Sequence, residues 1–348
     1  MTDVGGKVLL TAWVRAIDAT MHHDDLSQCG AIALRRGKAE VLPYQKKEQK
    51  MIRTITATAI VALTAGAATA DGLNYARLSY DYNNFDFDSG DADVGLFQGE
   101  IEYSINQFVL GASIRNLDVD SDFDDSNVTS YDAWGGYAIS PQALVGIGLT
   151  GVSDDDGDDF NGGELFGQYV TAQYGAAARI ELDDFDEDNV RGTLYGEYRP
   201  SQGLEFDLTI DDNTDVSGSD YKVSADYDAG AIFARAYIEG NTDDDGGIIA
   251  VRGHYNFAGA FRASAVLGTT FGDDLEDVTS YAVGGGYQFV EGAWFDLGYG
   301  QLDFDDGDNV DRIQAVISFE TGKRLRLDNQ FEQDDFDDNS AVFGSLSF

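Results

Sequence analysis

From residue 71 onward the chain repeats one device: an alternating segment, a tight turn, a second alternating segment and an Asp-rich connection. Alternation of apolar and polar residues with a period of two marks β-strands with one apolar face. Tyr221, Val223, Ala225 and Tyr227 alternate with Lys222, Ser224, Asp226 and Asp228. Leu204, Phe206, Leu208 and Ile210 alternate with Glu205, Asp207 and Thr209. Ile249, Val251, Gly253, Tyr255 and Phe257 alternate with Arg252, His254 and Asn256. Ile313, Ala315, Ile317 and Phe319 share a face, and Val316 is the one apolar residue opposite them.

The connections are of two kinds. Tight turns are expected at Asn106-Gln107, Ser140-Pro141, Gly175, Pro200-Ser201, Ala229-Gly230, Ala258-Gly259, Val290-Glu291 and Thr321-Gly322. Pro141 and Pro200 sit where a missing N–H does no harm. Longer acidic loops are expected at 86–93, 118–127, 154–162, 183–189, 211–219, 242–246, 272–277, 303–309 and 334–339. Eight turns and nine loops make eighteen strands, and one miscounted pair makes sixteen. The number is even in either case.

A second regularity says what surrounds the strands. Strands entering a tight turn carry aromatics just before it: Tyr103, Tyr137, Tyr174, Tyr198, Tyr227, Tyr255 with Phe257, Tyr287 with Phe289, and Phe319. Amphipathic rings collect at a water–lipid interface, and a bilayer supplies a reason for rings at one end of every second strand. No run of about eighteen apolar residues follows residue 70, so no helix crosses a membrane there. Strands in lipid must then close into a barrel, because an open edge leaves backbone groups unpaired. The expected fold is all-β: a single transmembrane, antiparallel, up-and-down β-barrel of 16–18 strands.

The N-terminal part differs. Met51 opens an Arg53-containing stretch with a short apolar run at Ile60–Leu63 and Ala68-Thr69-Ala70 before Asp71. This reads as a secretory signal over 51–70 with a small-x-small cleavage site. Residues 1–50 hold the one Cys, Cys29, with scattered Lys and Arg and no alternation. They read as an upstream extension from a misplaced gene start, with no fold expected, leaving 71–348 as the barrel.

Composition excludes several functions. The 348 residues carry 63 Asp+Glu against 22 Lys+Arg, a formal net charge of −41. Phosphate contact needs clustered basic residues, so nucleic-acid binding through a basic face is excluded. A hydrophobic fraction of 43% is too high for an acidic disordered tail. One Cys permits neither a disulfide framework nor a thiolate metal cluster. His254 is the one His after residue 70, without a readable Ser/Asp pairing, and reads as a histidine of the polar wall in a non-enzyme.

Together the signal segment, the even run of amphipathic strands, the tight turns and the terminal Phe348 resemble Gram-negative outer-membrane β-barrels of the porin type. Val342, Leu346 and Phe348 alternate in a segment similar to the terminal strand read by the barrel-assembly machinery. The resemblance implies short periplasmic turns, acidic extracellular loops, a homotrimer, and lipid and lipopolysaccharide as surroundings. It also implies a water-filled channel for ions and small hydrophilic solutes.

The residues expected to line that channel lie on the polar phase of the strands. The basic ones are Arg77, Arg115, Arg179, Arg235, Arg252, Arg262, Arg312, Arg324 and Arg326. The acidic ones are Glu100, Glu102, Glu181, Asp207, Asp226 and Glu239, joined by Asp328 and Glu320. So many charges suit a wet lumen and not a sealed core. In classical porins the third outer loop narrows the pore. The corresponding segment here, 154–164, makes Asp158, Asp159 and Glu164 candidate constriction acids, although it is shorter than the family's loop.

No cofactor is expected. Asp154, Asp155 and Asp156 are candidates for loosely bound Ca²⁺ or Mg²⁺, since clustered carboxylates suit hard cations. No loop has the spacing of the twelve-residue calcium pattern. Trp134 and Trp294 on the polar phase either stack a sugar or pack against the wall. The acidic balance favours cation selectivity. Alternatives are a substrate-specific channel, for oligosaccharides for example, and a non-conducting structural or adhesive barrel.

Overall fold

In the computed structural model the described residues are 72–87, 90–121, 125–154, 159–182, 190–214, 217–243, 246–257, 259–272, 278–304, 309–328 and 330. The extension, the signal segment, Asp155, Asp156, Asp158, the loop 334–339 and Phe348 lie outside them.

Sixteen strands follow in chain order: β1 (Leu73–Phe87), β2 (Gly90–Ile105), β3 (Phe108–Ser121), β4 (Asp125–Ser140), β5 (Ala143–Asp154), β6 (Asp159–Val170), β7 (Tyr174–Leu182) and β8 (Val190–Ser201). Then come β9 (Leu204–Asn213), β10 (Ser219–Asp228), β11 (Ile232–Asn241), β12 (Gly247–Asn256), β13 (Phe261–Phe271), β14 (Val278–Val290), β15 (Ala293–Phe304) and β16 (Asn309–Gly322). Each pairs antiparallel with its neighbours in sequence, and β1 pairs with β16 from Tyr75↔Gly322 to Asp86↔Asp311. The sheet is a closed up-and-down barrel. Closure gives every strand two partners, so no edge is exposed to lipid.

The barrel closes at sixteen strands, the lower of the two counts expected, because β16 already completes the ring against β1. Two expectations are corrected. The connections expected at 183–189, 242–246 and 272–277 match the strand bounds, whereas others, such as the one expected at 154–162, are shorter. Ladder pairing continues into the Asp-rich stretches, as in Ser153↔Asp159, which satisfies backbone groups that a loop would leave to water. Finally, β8 runs through Pro200-Ser201 to a turn at 202–203, and the turn before β7 lies at 171–173 and not at Gly175. There Thr171 Oγ1 accepts the N–H groups of Gln173 (3.3 Å) and Tyr174 (3.0 Å), so a hydroxyl does the work expected of a glycine.

The period of two sorts the side chains by face. Outward residues are apolar and exposed: Ile147 at 66%, Val283 at 61% and Ile313 at 60%. A continuous apolar face of this kind is a surface for lipid. Near the tight turns it carries ring pairs, including Phe108–Tyr137 (centroids 5.4 Å), Tyr174–Tyr198 (5.2 Å) and Phe261–Tyr287 (5.2 Å). A second collar lies towards the other end, where outward tyrosines hydrogen-bond polar neighbours. Tyr82 donates to Asp93 (2.6 Å), Tyr131 to Asn161 (2.9 Å), Tyr299 to Asp311 (2.7 Å), and Tyr281 to Gln301. Rings at both ends bracket an apolar band, as two membrane interfaces require.

Inside, the wall is zoned. Towards the acidic connections an apolar cluster forms on the arc from β14 through β3, with Phe85, Val94, Leu117, Leu302, Phe304 and Val310. Val316, the break in the β16 alternation, faces inward at 1% exposure. Elsewhere the inner wall carries charges, which on β7 to β10 reach the acidic-connection end, where Arg191 meets Asp211.

Candidate functional site

The ten basic residues on the strands all occupy inner-face positions. None points to lipid, where a guanidinium or ammonium at the midplane costs about 2–4 kcal/mol. Arg77, Arg115, Arg179, Arg235, Arg252, Arg262 and Arg312 are on this wall, together with Glu100, Glu102, Glu181, Asp207, Asp226 and Glu239. Arg191, Arg199, Lys222, Glu197, Asp211 and Asp296 belong to it as well. Sequence reasoning passed over these six, although their place on the polar phase is the signal that finds them.

Pairing follows from register. Arg262 forms a fork on Asp296, Nε to Oδ1 and Nη2 to Oδ2, both 2.7 Å, with Trp294 lying 4.3 Å from its Cζ. The space for this pair comes from Gly286, which stands directly opposite both residues on β14. Arg191 Nε meets Asp211 at 2.8 Å, Arg199 Nε meets Glu205 at 2.7 Å, and Lys222 Nζ lies 3.5 Å from Glu239. Arg235 lies between Asp207 (3.4 Å) and Asp226 (3.3 Å). Glu205, Asp207 and Asp226 come within 4.8 Å of one another. Their bonds to Arg199, Arg235 and Ser224 make them an ion-pair network.

Two inner residues depart from this pattern. Arg312 is 2% exposed, and its guanidinium nitrogens have no hydrogen-bond partner among the described residues. The nearby Asp81 accepts instead from Gln314 (2.9 and 3.0 Å) and Asn83 (3.2 Å). His254 stacks on Phe233, rings 5.4 Å apart and 23° from parallel.

The constriction candidates are placed as follows. Glu164 lies within β6, on the barrel wall and not in a loop. Asp159 is the first residue of β6, Asp154 the last of β5, and Asp158 lies outside the described residues.

What crosses the lumen is the chain beyond β16. Arg324 and Arg326, expected on a strand, are on this segment. It leaves the wall where Lys323 N–H donates to Asn74 O (2.7 Å). Arg324 then forks onto Glu100 on β2 (2.7–3.1 Å), with its Cζ 4.3 Å from the Tyr75 ring. Glu102, fully buried, accepts the backbone N–H groups of Leu325 (2.7 Å) and Arg326 (3.4 Å). Across the lumen, Gln168 on β6 accepts from Leu327 N–H (2.7 Å) and donates to Leu325 O (2.6 Å). Leu327 packs against Ala177 on β7 and Tyr195 on β8. Since β2 and β6 are not neighbours in the sheet, residues 323–328 bridge them through the interior.

Arg326 anchors the bridge. Its Nη atoms meet the two Glu164 oxygens at 2.6 and 2.7 Å, and Asp328 closes the other side at 2.6–3.0 Å. Its Cζ lies 3.9 Å from the Phe166 ring centroid and 5.2 Å from that of Trp134. Burial pulls its affinity for a proton down, but Asp328 and Glu164 outweigh that and hold it above the ordinary arginine value. Trp134 and Phe166 meet edge to face at 5.7 Å. Of the two sequence readings, Trp134 packs within the wall.

Beside this bridge, at the turn end, a cavity of about 670 Å³ remains. Arg77, Arg199, Arg235, Arg252 and Arg324 line it with Glu205, Asp226, Asp228 and Glu320. Arg235 and Arg252 stand directly opposite each other on β11 and β12. Like charges in that position repel, so the nearby acids are required there.

Fold and lumen together define a closed, antiparallel, up-and-down β-barrel with an apolar outer face and a charge-lined interior. No family model matches the chain, and no curated protein matches it. Among solved structures it is similar to Pseudomonas aeruginosa OpdQ, at 13% identity and a TM-score of 0.47, over 73% of this chain and 99% of that one. A triple mutant of Rhodopseudomonas blastica porin matches at 14% identity and a TM-score of 0.46, over 72% and 99%. A bacterial polysaccharide outer membrane secretin matches at 13% and 0.46, over 72% and 100%. Likeness at this level carries no functional inference, and the architecture rests on the strand pairing itself.

Proposed function

We propose that this chain is an outer-membrane porin, passing ions and small hydrophilic solutes through its lumen with a preference for cations. One observation carries the reading: every strand-borne basic side chain and a matching set of acids face inward, around a polar cavity, while the outer face is apolar. Charges on an inner wall serve water and ions, because a dry interior penalises each one by several kcal/mol. The excess of acid raises the local cation concentration and repels anions. Acidic connections holding Ca²⁺ or Mg²⁺ loosely, lipopolysaccharide around the barrel, export through a Sec signal, assembly through Phe348 and a trimeric state belong to the same reading.

The bridge of residues 323–328 favours a refinement: the pore is narrowed from within by the chain beyond β16. It also gives the non-conducting alternative a definite basis. Single-channel current across a planar bilayer, recorded with the refolded protein under a salt gradient, tests the reading. Open steps with a cation-selective reversal potential are expected. A silent bilayer with protein that migrates as a folded barrel on gels would overturn it in favour of a structural barrel.

A further inference from the structure

The place where Arg326 is held is built for the shape of its head group. A planar guanidinium is recognised by an aromatic face on one side and a carboxylate that accepts two parallel N–H groups in its plane. Phe166 and Trp134 supply the rings, at right angles to each other, and Glu164 supplies the carboxylate. Room for all three side chains comes from three inner glycines, each directly across the ladder from the residue it serves. Gly111 faces Trp134, Gly146 faces Phe166 and Gly148 faces Glu164. A Cβ on Gly111 would overlap the indole, and one on Gly146 would come 2.6 Å from Cε1 of Phe166. A Cβ on Gly148 would come 2.7 Å from both Cγ and Cδ of Glu164.

These elements are on the barrel wall, on β3 to β6, whereas the guanidinium that fills the place arrives from residue 326. Receptor and ligand are therefore separate pieces of one chain. We propose that Trp134, Glu164 and Phe166 form a guanidinium-recognition site, filled at rest by Arg326. Solutes bearing a guanidinium compete for it and release the 323–328 bridge. The site stands on its own geometry, and its effect on conduction rests on the channel reading. Selectivity for guanidinium over a simple ammonium follows from the planar fork, which an ammonium cannot match.

The test uses the full chain, refolded in detergent. Of its three Trp, Trp13 and Trp294 are replaced by Phe in every sample, so emission reports Trp134 alone. The probe is ethylguanidinium, with ethylammonium as control. Arg326→Ala, which empties the site, is expected to give a saturable change in Trp134 emission with ethylguanidinium. Ethylammonium is expected to bind at least about tenfold more weakly. With Arg326 in place the tethered group competes at an effective concentration of about millimolar or above, so the same response needs at least about tenfold more ethylguanidinium. Adding Glu164→Gln to the Ala variant is expected to abolish it.

No saturable response in a variant that migrates as a heat-modifiable barrel, or equal binding of the two cations, overturns the proposal. If Arg326→Ala does not fold, Arg326→Lys replaces it, since a lysine keeps the charge but not the fork. Ethylguanidinium should then bind more tightly than with arginine present, and unchanged binding overturns the site. Bilayer recordings separate the two readings. Binding with no conductance in any variant leaves the site standing and removes the channel. Conductance without binding does the reverse.

Discussion

Gly148 and Glu164 face each other across β5 and β6, and the Glu164 side chain lies in the space a side chain at 148 would fill. The absence of a Cβ on one strand thus positions the carboxylate that grips Arg326, which is 162 residues further along. The substitution Gly148→Ala displaces not only the carboxylate tip but also Cγ and Cδ, so rotation of the end group alone cannot relieve it. Loss of the fork is expected to destabilise the protein by about 1–3 kcal/mol. Gly196→Ala, where an added Cβ meets nothing within 4 Å, is expected to stay within about 0.5 kcal/mol. Urea unfolding in micelles, followed by tryptophan emission, compares the two.

The Arg262–Asp296 fork is buried, and each half depends on the other. Asp296→Ala leaves a buried guanidinium without its counter-charge and is expected to cost about 3–5 kcal/mol. Replacing both residues by Met and Leu removes the stranded charge and is expected to recover most of that loss. The same unfolding measurement on the single and the double variant compares them. A double variant no more stable than the single would show that the fork is not the cause.

Leu267 is 58% exposed yet lies on the outer face of β13. If that face meets lipid, Leu267→Arg is expected to cost about 2–4 kcal/mol when the barrel is folded into vesicles. Gln202→Arg, in an exposed turn, should cost less than about 0.5 kcal/mol. Equal effects would remove the bilayer from the outer face.

Asp228 and Glu320 are exposed acids at the mouth of the turn-end cavity. Reversing both to Lys is expected to lower the cation-to-anion permeability ratio read from the reversal potential. In the unaltered protein the ratio should fall as KCl rises from about 0.1 to 1 M, because the screening length shrinks from about 10 to 3 Å. A ratio that ignores both changes would detach selectivity from this mouth.

The strands were legible because their signal is local. Period-two alternation in Tyr221–Asp228 or Leu204–Ile210 needs no knowledge of any partner, and it puts the strand arginines from Arg77 to Arg312 on the polar phase. Even the irregular Val316 was visible as an apolar residue on the polar phase. Turn positions were less secure. A hydroxyl such as that of Thr171 makes a turn without the glycine or proline that marks one in sequence.

The sequence by itself determined a closed, even-stranded barrel with an apolar exterior and a charged interior, because alternation and turn chemistry act within about ten residues. Only the tertiary structure decided where the ring closes and which charges meet. Residues 323–328 alternate like a strand, with Arg324, Arg326 and Asp328 interleaved by Leu325 and Leu327. The ring is already complete at β16, so their polar groups bond to Glu100, Glu102, Glu164 and Gln168 inside. Those partners lie 159 to 224 residues away. Contacts at that range depend on register accumulated across the whole sheet, which no local pattern encodes.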